Sequence, residues 1–126
     1  MNKVLVDTSV WIEYFRGSNR ASVLDTWIDE NYIVTNALIL TEILPFIKRR
    51  REHLLHDTML AIEEVELKIN WPRLREYQAK NLQHGINNVG IPDLIILQNV
   101  IDNDLTLFTY DKHFSQMERL FRFQLL

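Results

Sequence analysis

The sequence predicts an α/β fold in which helices cover both faces of a mainly parallel β-sheet. Short runs of β-branched and apolar residues alternate along the chain with longer segments of helical periodicity, as is typical of parallel α/β domains. At 126 residues the chain is long enough for one core and too short for two ordinary ones. It contains no internal repeat, low-complexity tract or linker, so residues 1–126 are predicted to form a single domain.

Five elements are predicted in the first half of the chain. In order they are strand 3–6, helix 10–16, helix 20–30, strand 32–35 and helix 37–51. Trp11 and Phe15 share one face of the first helix, which Gly17 ends. We expect both to face the core, the alternative being that they line a groove for a partner. Asn36 is a good N-cap for the longest helix, because its side chain can accept a hydrogen bond from the first helical turn.

The second half continues the alternation. It predicts helix 53–62, a brief strand at 65–67, helix 72–85, helix 93–101, strand 106–110 and a last helix–strand pair over about 114–125. Asn70 and Pro72 are a cap and a first-turn proline for the helix that Gly85 ends, and Pro92 introduces the next one.

Composition limits the function classes. The chain has no cysteine, which excludes disulfides, thiolate metal sites and a cysteine nucleophile and makes a reducing cytoplasm the default compartment. No stretch approaches the length needed to span a bilayer, so we expect a soluble protein without membrane partners. The net charge of −3 argues weakly against nucleic acid as partner, but the run Lys48, Arg49, Arg50 and Arg51 keeps a phosphate-bearing partner open.

Four carboxylates stand where their placement needs an explanation. They are Asp7, Glu42, Asp93 and Asp111. Asp7 and Asp111 follow two predicted parallel strands, whose carboxyl ends share the edge where α/β sheets bind ligands. Glu42 lies on an apolar helical face, and Asp93 opens a helix. Individually, Asp7 and Asp93 are explained by helix capping or the helix dipole, and Glu42 by extending to solvent or pairing with an arginine.

Together the four acids predict a metal site. Gathered carboxylates repel one another unless a cation neutralises them, and oxygen ligands select hard ions such as Mg²⁺ or Mn²⁺. Because magnesium is usually held by a few carboxylates and substrate phosphates, the expected reaction is metal-assisted phosphodiester hydrolysis.

Motifs along the whole chain resemble those of a known family. VLVDTSVWIEYF at the start, the pair Thr41-Glu42, PDLIILQNV and LFTYDKHF are similar, in order and spacing, to the motifs of PIN domains. Among PIN domains the chain looks most like the short VapC-type ribonuclease toxins.

The resemblance implies a three-layer α/β/α fold and an endoribonuclease that holds one or two Mg²⁺ or Mn²⁺ ions. In family terms Asp7, Glu42 and Asp93 match the core acids and Asp111 the fourth. Thr8, Ser9 and Thr109 match hydroxyl positions that would orient a carboxylate or water. It also implies an RNA substrate, an antitoxin partner that covers the pocket, and a homodimer.

The sequence departs from the family pattern in two places. Ile96 and Leu97 stand where alanines are common after the third acid, and Asn103-Asp104 stands where a glycine often precedes the final strand. Asn and Asp also adopt left-handed turns, so the fold is expected to survive, while substrate fit and partner preference stay open.

Alternatives of other classes remain. A phosphoaccepting receiver-like domain has a similar size and acidity, but it needs an acid pair after the first strand where this chain has Asp7-Thr8. A non-catalytic acidic binding module is the other rival. Lys112 and the Lys48–Arg51 run are possible RNA contacts, although a charge run at a helix end is usually a solvated face. His53 and His56 lack a third metal ligand, and His113 is expected to be structural.

Overall fold

A five-stranded sheet organises residues 2–126, the part of the chain that the computed structural model describes. The strands are β1 Val4–Val6, β2 Ile33–Thr35, β3 Glu63–Glu64, β4 Thr106–Phe108 and β5 Gln124–Leu125. Their order is β3-β2-β1-β4-β5, and all four neighbouring pairs are parallel. In the central strand, Leu5 is in register with Val34 of β2 and Leu107 of β4, and none of the three side chains is exposed.

Helices form a layer on each face of the sheet. They are α1 Thr8–Phe15, α2 Val23–Asp29, α3 Ala37–Arg49, α4 His53–Ala61, α5 Trp71–Gln83, α6 Ile91–Asp102 and α7 Lys112–Met117, with a 3₁₀ turn at Asn19–Ala21. Contacts join α3 to α1 and α4, and join α5 to α6. The predicted three-layer α/β/α arrangement with a parallel sheet is therefore confirmed.

Apolar residues of the strands and of the inner helix faces form one core. Trp11 and Phe114 are the largest fully buried side chains, and Phe15 stacks on Trp11 with 5.8 Å between ring centroids. The prediction that Trp11 faces the core is confirmed, and Phe15 packs against the core while half-buried. Within residues 2–126 no helix combines the length and the hydropathy needed to cross a membrane.

Some predicted boundaries were wrong. The third strand lies at Glu63–Glu64 instead of 65–67, because Val34 of β2 sets the register with Glu63, and only the Val65 N–H extends the ladder, donating to the Thr35 carbonyl. β4 ends at Phe108 instead of residue 110, since the Tyr110 N–H donates to a side chain, Ser9 Oγ, and not to a neighbouring strand. The helix predicted over 20–30 is divided into the 3₁₀ turn and α2.

The strand order places a topological switch point between β1 and β4. The chain steps outward from β1 to β2 and β3, then returns across the sheet to β4 on the other side of β1. Ligands of open α/β sheets bind outside the carboxyl ends of strands at such a point. The order also differs from the 2-1-3-4-5 arrangement of receiver domains, so the receiver-like alternative is wrong.

Candidate active site

Asp7 lies at the switch point, directly after β1. Its backbone carbonyl begins α1 by accepting hydrogen bonds from the N–H groups of Val10 and Trp11, while its side chain makes no capping bond. Instead, Asp7 Oδ2 accepts hydrogen bonds from Thr109 Oγ1 at 2.7 Å and from Ser9 Oγ at 3.0 Å. Only 7% of the residue is exposed. Helix capping therefore does not explain this carboxylate.

The two hydroxyls that bind Asp7 also join the ends of β1 and β4. Ser9 Oγ accepts a hydrogen bond from the Tyr110 N–H, and Thr109 Oγ1 accepts one from the Asp111 N–H. Each hydroxyl thus donates to the carboxylate and accepts from the backbone of the opposite or following segment. This network fixes the orientation of Asp7, as expected for hydroxyl positions next to an acid.

Glu42 reaches the same edge from α3. Its helical neighbours Ile39 and Ile43 are buried, but Glu42 itself is exposed and its Oε1 accepts a hydrogen bond from Thr8 Oγ1 at 3.1 Å. Among the explanations considered from the sequence, the structure favours a side chain that leaves the apolar face at an edge. The edge that it reaches carries the other acids.

The His113 ring lies between Asp93 and Asp111. Asp111 Oδ1 caps α7 by accepting a hydrogen bond from the His113 N–H at 2.9 Å. The His113 Nδ1 atom lies 3.2 Å from Asp111 Oδ1 and 3.4 Å from Asp93 Oδ2. Neither contact has hydrogen-bond geometry, and Nδ1 is a buried atom without a hydrogen-bond partner among the described residues.

Burial and mutual repulsion raise the pKa of three of the acids. For Asp7 burial is the largest cause, the hydrogen bonds from Thr109 and Ser9 oppose it, and the charge of Asp111 adds to it. The pKa of Glu42 is also raised, although the residue as a whole is exposed: partial desolvation of its carboxylate is the largest cause, the hydrogen bond from Thr8 opposes it, and the charges of Asp7 and Asp93 add to it.

The pKa of Asp93 is raised in the same way. Burial is again the largest cause, followed by the charge of Asp111, while a backbone hydrogen bond and His113 act against them. The charges of Asp7, Asp93 and Asp111 each raise the pKa of at least one other acid, and Glu42 responds to two of them, which places the four acids in a single electrostatic cluster.

The residues fit a divalent cation. The cluster consists of oxygen donors that are partly desolvated and repel one another, and one buried imidazole nitrogen beside them has no partner. Ligand atoms of Asp93, Asp111 and His113 lie within 4.8 Å of one another. Carboxylates that approach in this way are stabilised by a hard cation, because it favours their charged forms.

The other predicted residues lie at increasing distance from the cluster. Lys112 follows Asp111 and is exposed, and the exposed residues 48–51 end α3 two turns beyond Glu42. Within residues 2–126, His53 and His56 belong to no group of three potential metal ligands.

His113 is the site residue that the sequence analysis missed. It was expected to be structural, yet its ring contacts two of the four acids. The available signal was its position two residues after Asp111, inside the first turn of the helix that Asp111 caps.

Comparisons with known proteins agree with the fold. The sequence model described as PIN domain matches residues 4–120. A chain of the DNA-bound VapBC complex from Salmonella typhimurium superposes with a TM-score of 0.76 and 16% identity, covering 100% of this chain and 98% of that one. A chain of VapBC2 from Rickettsia felis, bound to a promoter DNA fragment, superposes with a TM-score of 0.75 and 16% identity, covering 98% of this chain and 96% of that one.

A third solved structure shows the same likeness. A chain of the FitAcB complex from Neisseria gonorrhoeae superposes with a TM-score of 0.74 and 18% identity, covering 98% of this chain and 96% of that one. At such identities the likeness concerns the fold. No curated protein matches the sequence closely.

Proposed function

This chain belongs to the PIN-domain family, and from that premise we propose that it is a Mg²⁺- or Mn²⁺-dependent endoribonuclease that hydrolyses RNA phosphodiester bonds. The observation that carries the proposal is the convergence of four acids from separate parts of the chain at the switch point of the sheet. They are Asp7 after β1, Glu42 on α3, Asp93 on α6 and Asp111 after β4.

The four acids would hold the cation, and the neighbouring side chains would orient them. A bound divalent ion polarises a phosphate and lowers the pKa of a coordinated water toward neutrality. Thr109 and Ser9 fix one oxygen of Asp7, and Thr8 fixes one oxygen of Glu42. The His113 ring lies between Asp93 and Asp111, and its Nδ1 atom offers a further nitrogen ligand beside these two acids.

A polyanionic substrate requires cations around this acidic edge. Lys112 is exposed at the start of α7, beside Asp111, where it can meet a phosphate. The exposed run over residues 48–51 lies about 10 Å beyond Glu42 along α3, from a rise of 1.5 Å per residue. It would contact the RNA backbone beside the cleavage point.

The likeness to VapBC and FitAcB complexes supports a toxin role. Two of those structures are described as DNA-bound, and in VapBC2 the DNA is a fragment from their promoter. We infer that this chain is the toxin of a toxin–antitoxin pair, inhibited by a cognate antitoxin that covers the acids. A homodimer in the cytoplasm is part of the same proposal.

The direct test is incubation of the purified protein with total RNA, with and without Mg²⁺, followed by mapping of the cut ends. The wild-type protein should cut only with the metal, and Asp7→Asn should abolish cutting while remaining folded. Asp57→Asn, which removes an exposed carboxylate from α4, is the matched control and should cut normally. Full activity of Asp7→Asn would refute the site, and metal binding without any cleavage would favour the non-catalytic binding module.

A further inference from the structure

Arg20 and Tyr110 form a stacked pair at the edge of the sheet that carries the acids. The guanidinium carbon of Arg20 lies 3.5 Å from the centroid of the Tyr110 ring. The Tyr110 hydroxyl donates a hydrogen bond to the carbonyl oxygen of Arg20 at 3.0 Å. Backbone and side chain of Arg20 are therefore both held by one tyrosine, although the residue is exposed.

Backbone hydrogen bonds connect this pair to the candidate active site. Tyr110 stands between Thr109 and Asp111, and its N–H donates to Ser9 Oγ, which in turn donates to Asp7 Oδ2. The Tyr110 ring also packs edge-on against Phe108 of β4, with 5.5 Å between centroids. The tyrosine that holds Arg20 is therefore part of the segment that orients the carboxylate of Asp7.

The Arg20 guanidinium is not used inside the protein. Several other arginines pair with carboxylates, as Arg16 does with Glu13 and Arg73 with Asp102. Across residues 2–126, by contrast, Arg20 makes no ion pair, and its side chain donates no hydrogen bond. A guanidinium that stacks on a ring keeps its planar N–H groups free for bidentate contact with a phosphate.

We propose that Arg20, positioned by Tyr110, binds a backbone phosphate of the RNA next to the one that is cleaved. The inference rests on the proposed function and names a contact that holds its substrate. A chain of net charge −3 with clustered acids at its site repels RNA, and a fixed cation at the rim of that cluster offsets the repulsion. Phosphate contact, unlike base contact, carries no sequence preference.

The test measures RNA binding as a function of salt in the Asp7→Asn background, where RNA is not cut. Two single-stranded oligonucleotides of different sequence are titrated at fixed Mg²⁺ over a range of monovalent salt. Removing one phosphate contact should make the slope of log affinity against log salt shallower by about 0.7. With that slope, Arg20→Gln should weaken binding about fivefold at 0.1 M salt and about 25-fold at 0.01 M, equally for both sequences.

Two further variants complete the experiment. Arg20→Lys keeps the charge and should restore the slope while recovering only part of the affinity, because lysine lacks the planar fork. Arg119→Gln removes an exposed arginine near the far end of α7 and should leave slope and affinity unchanged. A purely structural role of Arg20 would lower the thermal stability of Arg20→Gln without changing the slope.

The outcomes separate this inference from the function on which it rests. RNA binding by the Asp7→Asn parent with an unchanged slope in Arg20→Gln would overturn the phosphate contact alone. A loss confined to one of the two sequences would also overturn it, since that result indicates base recognition. If neither the Asp7→Asn parent nor the wild-type protein without Mg²⁺ binds RNA, the proposed substrate is wrong, and the proposed contact with that substrate is wrong as well.

Discussion

Replacing Asn36 by alanine should destabilise the protein and disturb the relation between two helices that carry acids. Asn36 is fully buried at the start of α3. Its Oδ1 accepts a hydrogen bond from the Ile39 N–H, and its Nδ2 donates to Asn99 Oδ1, both at 2.9 Å. Asn99 belongs to α6, so this amide pair links the helix of Glu42 to the helix of Asp93.

The expected loss follows from two separate contributions. Removing the N-cap interaction costs about 1 kcal/mol. Leaving the buried Asn99 carbonyl without its partner adds about 1–3 kcal/mol. The free energy of unfolding of Asn36→Ala should therefore fall by about 2–4 kcal/mol, measured by urea denaturation as a lower midpoint with an unchanged m-value. The cleavage rate of the folded fraction should also drop, because the hydrogen bond that fixes the helix of Glu42 relative to the helix of Asp93 is lost.

Asn70→Ala provides the matched control. Asn70 caps α5 by accepting from the Arg73 N–H, but it is exposed and its side chain has no buried amide partner. Its loss should cost about 1 kcal/mol, the cap contribution alone. A double-mutant cycle between Asn36→Ala and Asn99→Ala should give a coupling of about 0.5–3 kcal/mol. Equal losses at Asn36 and Asn70, or a coupling near zero, would refute the link between the helices.

Three further predictions concern the acidic cluster. Thr109→Val removes a hydrogen bond that opposes the raised pKa of Asp7, so the acidic limb of the pH profile of cleavage should move to higher pH; an unmoved limb would contradict this. Without divalent ions, three of the acids bind more protons in the folded than in the unfolded state, because folding raises the pKa of Asp7, Glu42 and Asp93. Their contribution to the free energy of unfolding is therefore complete below their ordinary pKa values of 3.8–4.5, and it is lost as the pH rises through the raised pKa values of the folded state. Urea denaturation at several pH values should show a weaker dependence in Asp7→Asn than in wild type, and a stronger one would contradict the assignment. Mg²⁺ at 100 times its dissociation constant should raise the free energy of unfolding by about 2.7 kcal/mol in wild type, and an equal rise in Asp7→Asn would place the ion elsewhere.

The sequence predicted the parts of the site that depend on strand ends. Asp7 and Asp111 each follow a short buried run, and parallel strands bring their carboxyl ends to one edge, so their meeting could be expected before the structure was known. Glu42 could also be singled out, because a carboxylate on an apolar helical face needs an edge or a partner. These inferences depend on the local pattern of apolar residues and on the rule that parallel strands bring their carboxyl ends to one edge of the sheet.

Other features depend on side-chain geometry that local pattern does not encode. His113 was judged from its own neighbours, whereas its significance comes from Asp93, twenty positions earlier in the chain. The Asn36–Asn99 pair and the stacking of Arg20 on Tyr110 join residues separated by 63 and 90 positions. The strand at Glu63–Glu64 was misplaced because pairing with β2 sets its register, and its exposed acidic side chains are unusual in a strand.

The hydrogen bonds around Asp7 indicate why two hydroxyl side chains lie beside this acid. Hydrogen bonds from Thr109 and Ser9 favour the ionised form of Asp7, yet burial outweighs them and leaves its pKa raised. The two hydrogen bonds therefore hold the carboxylate of Asp7 in one orientation but do not fully stabilise its negative charge. A divalent cation that binds together with a phosphate would supply the missing positive charge. Replacing Ser9 and Thr109 together should consequently weaken Mg²⁺ binding through lost orientation more than either single change does, because each hydroxyl holds the same oxygen of Asp7.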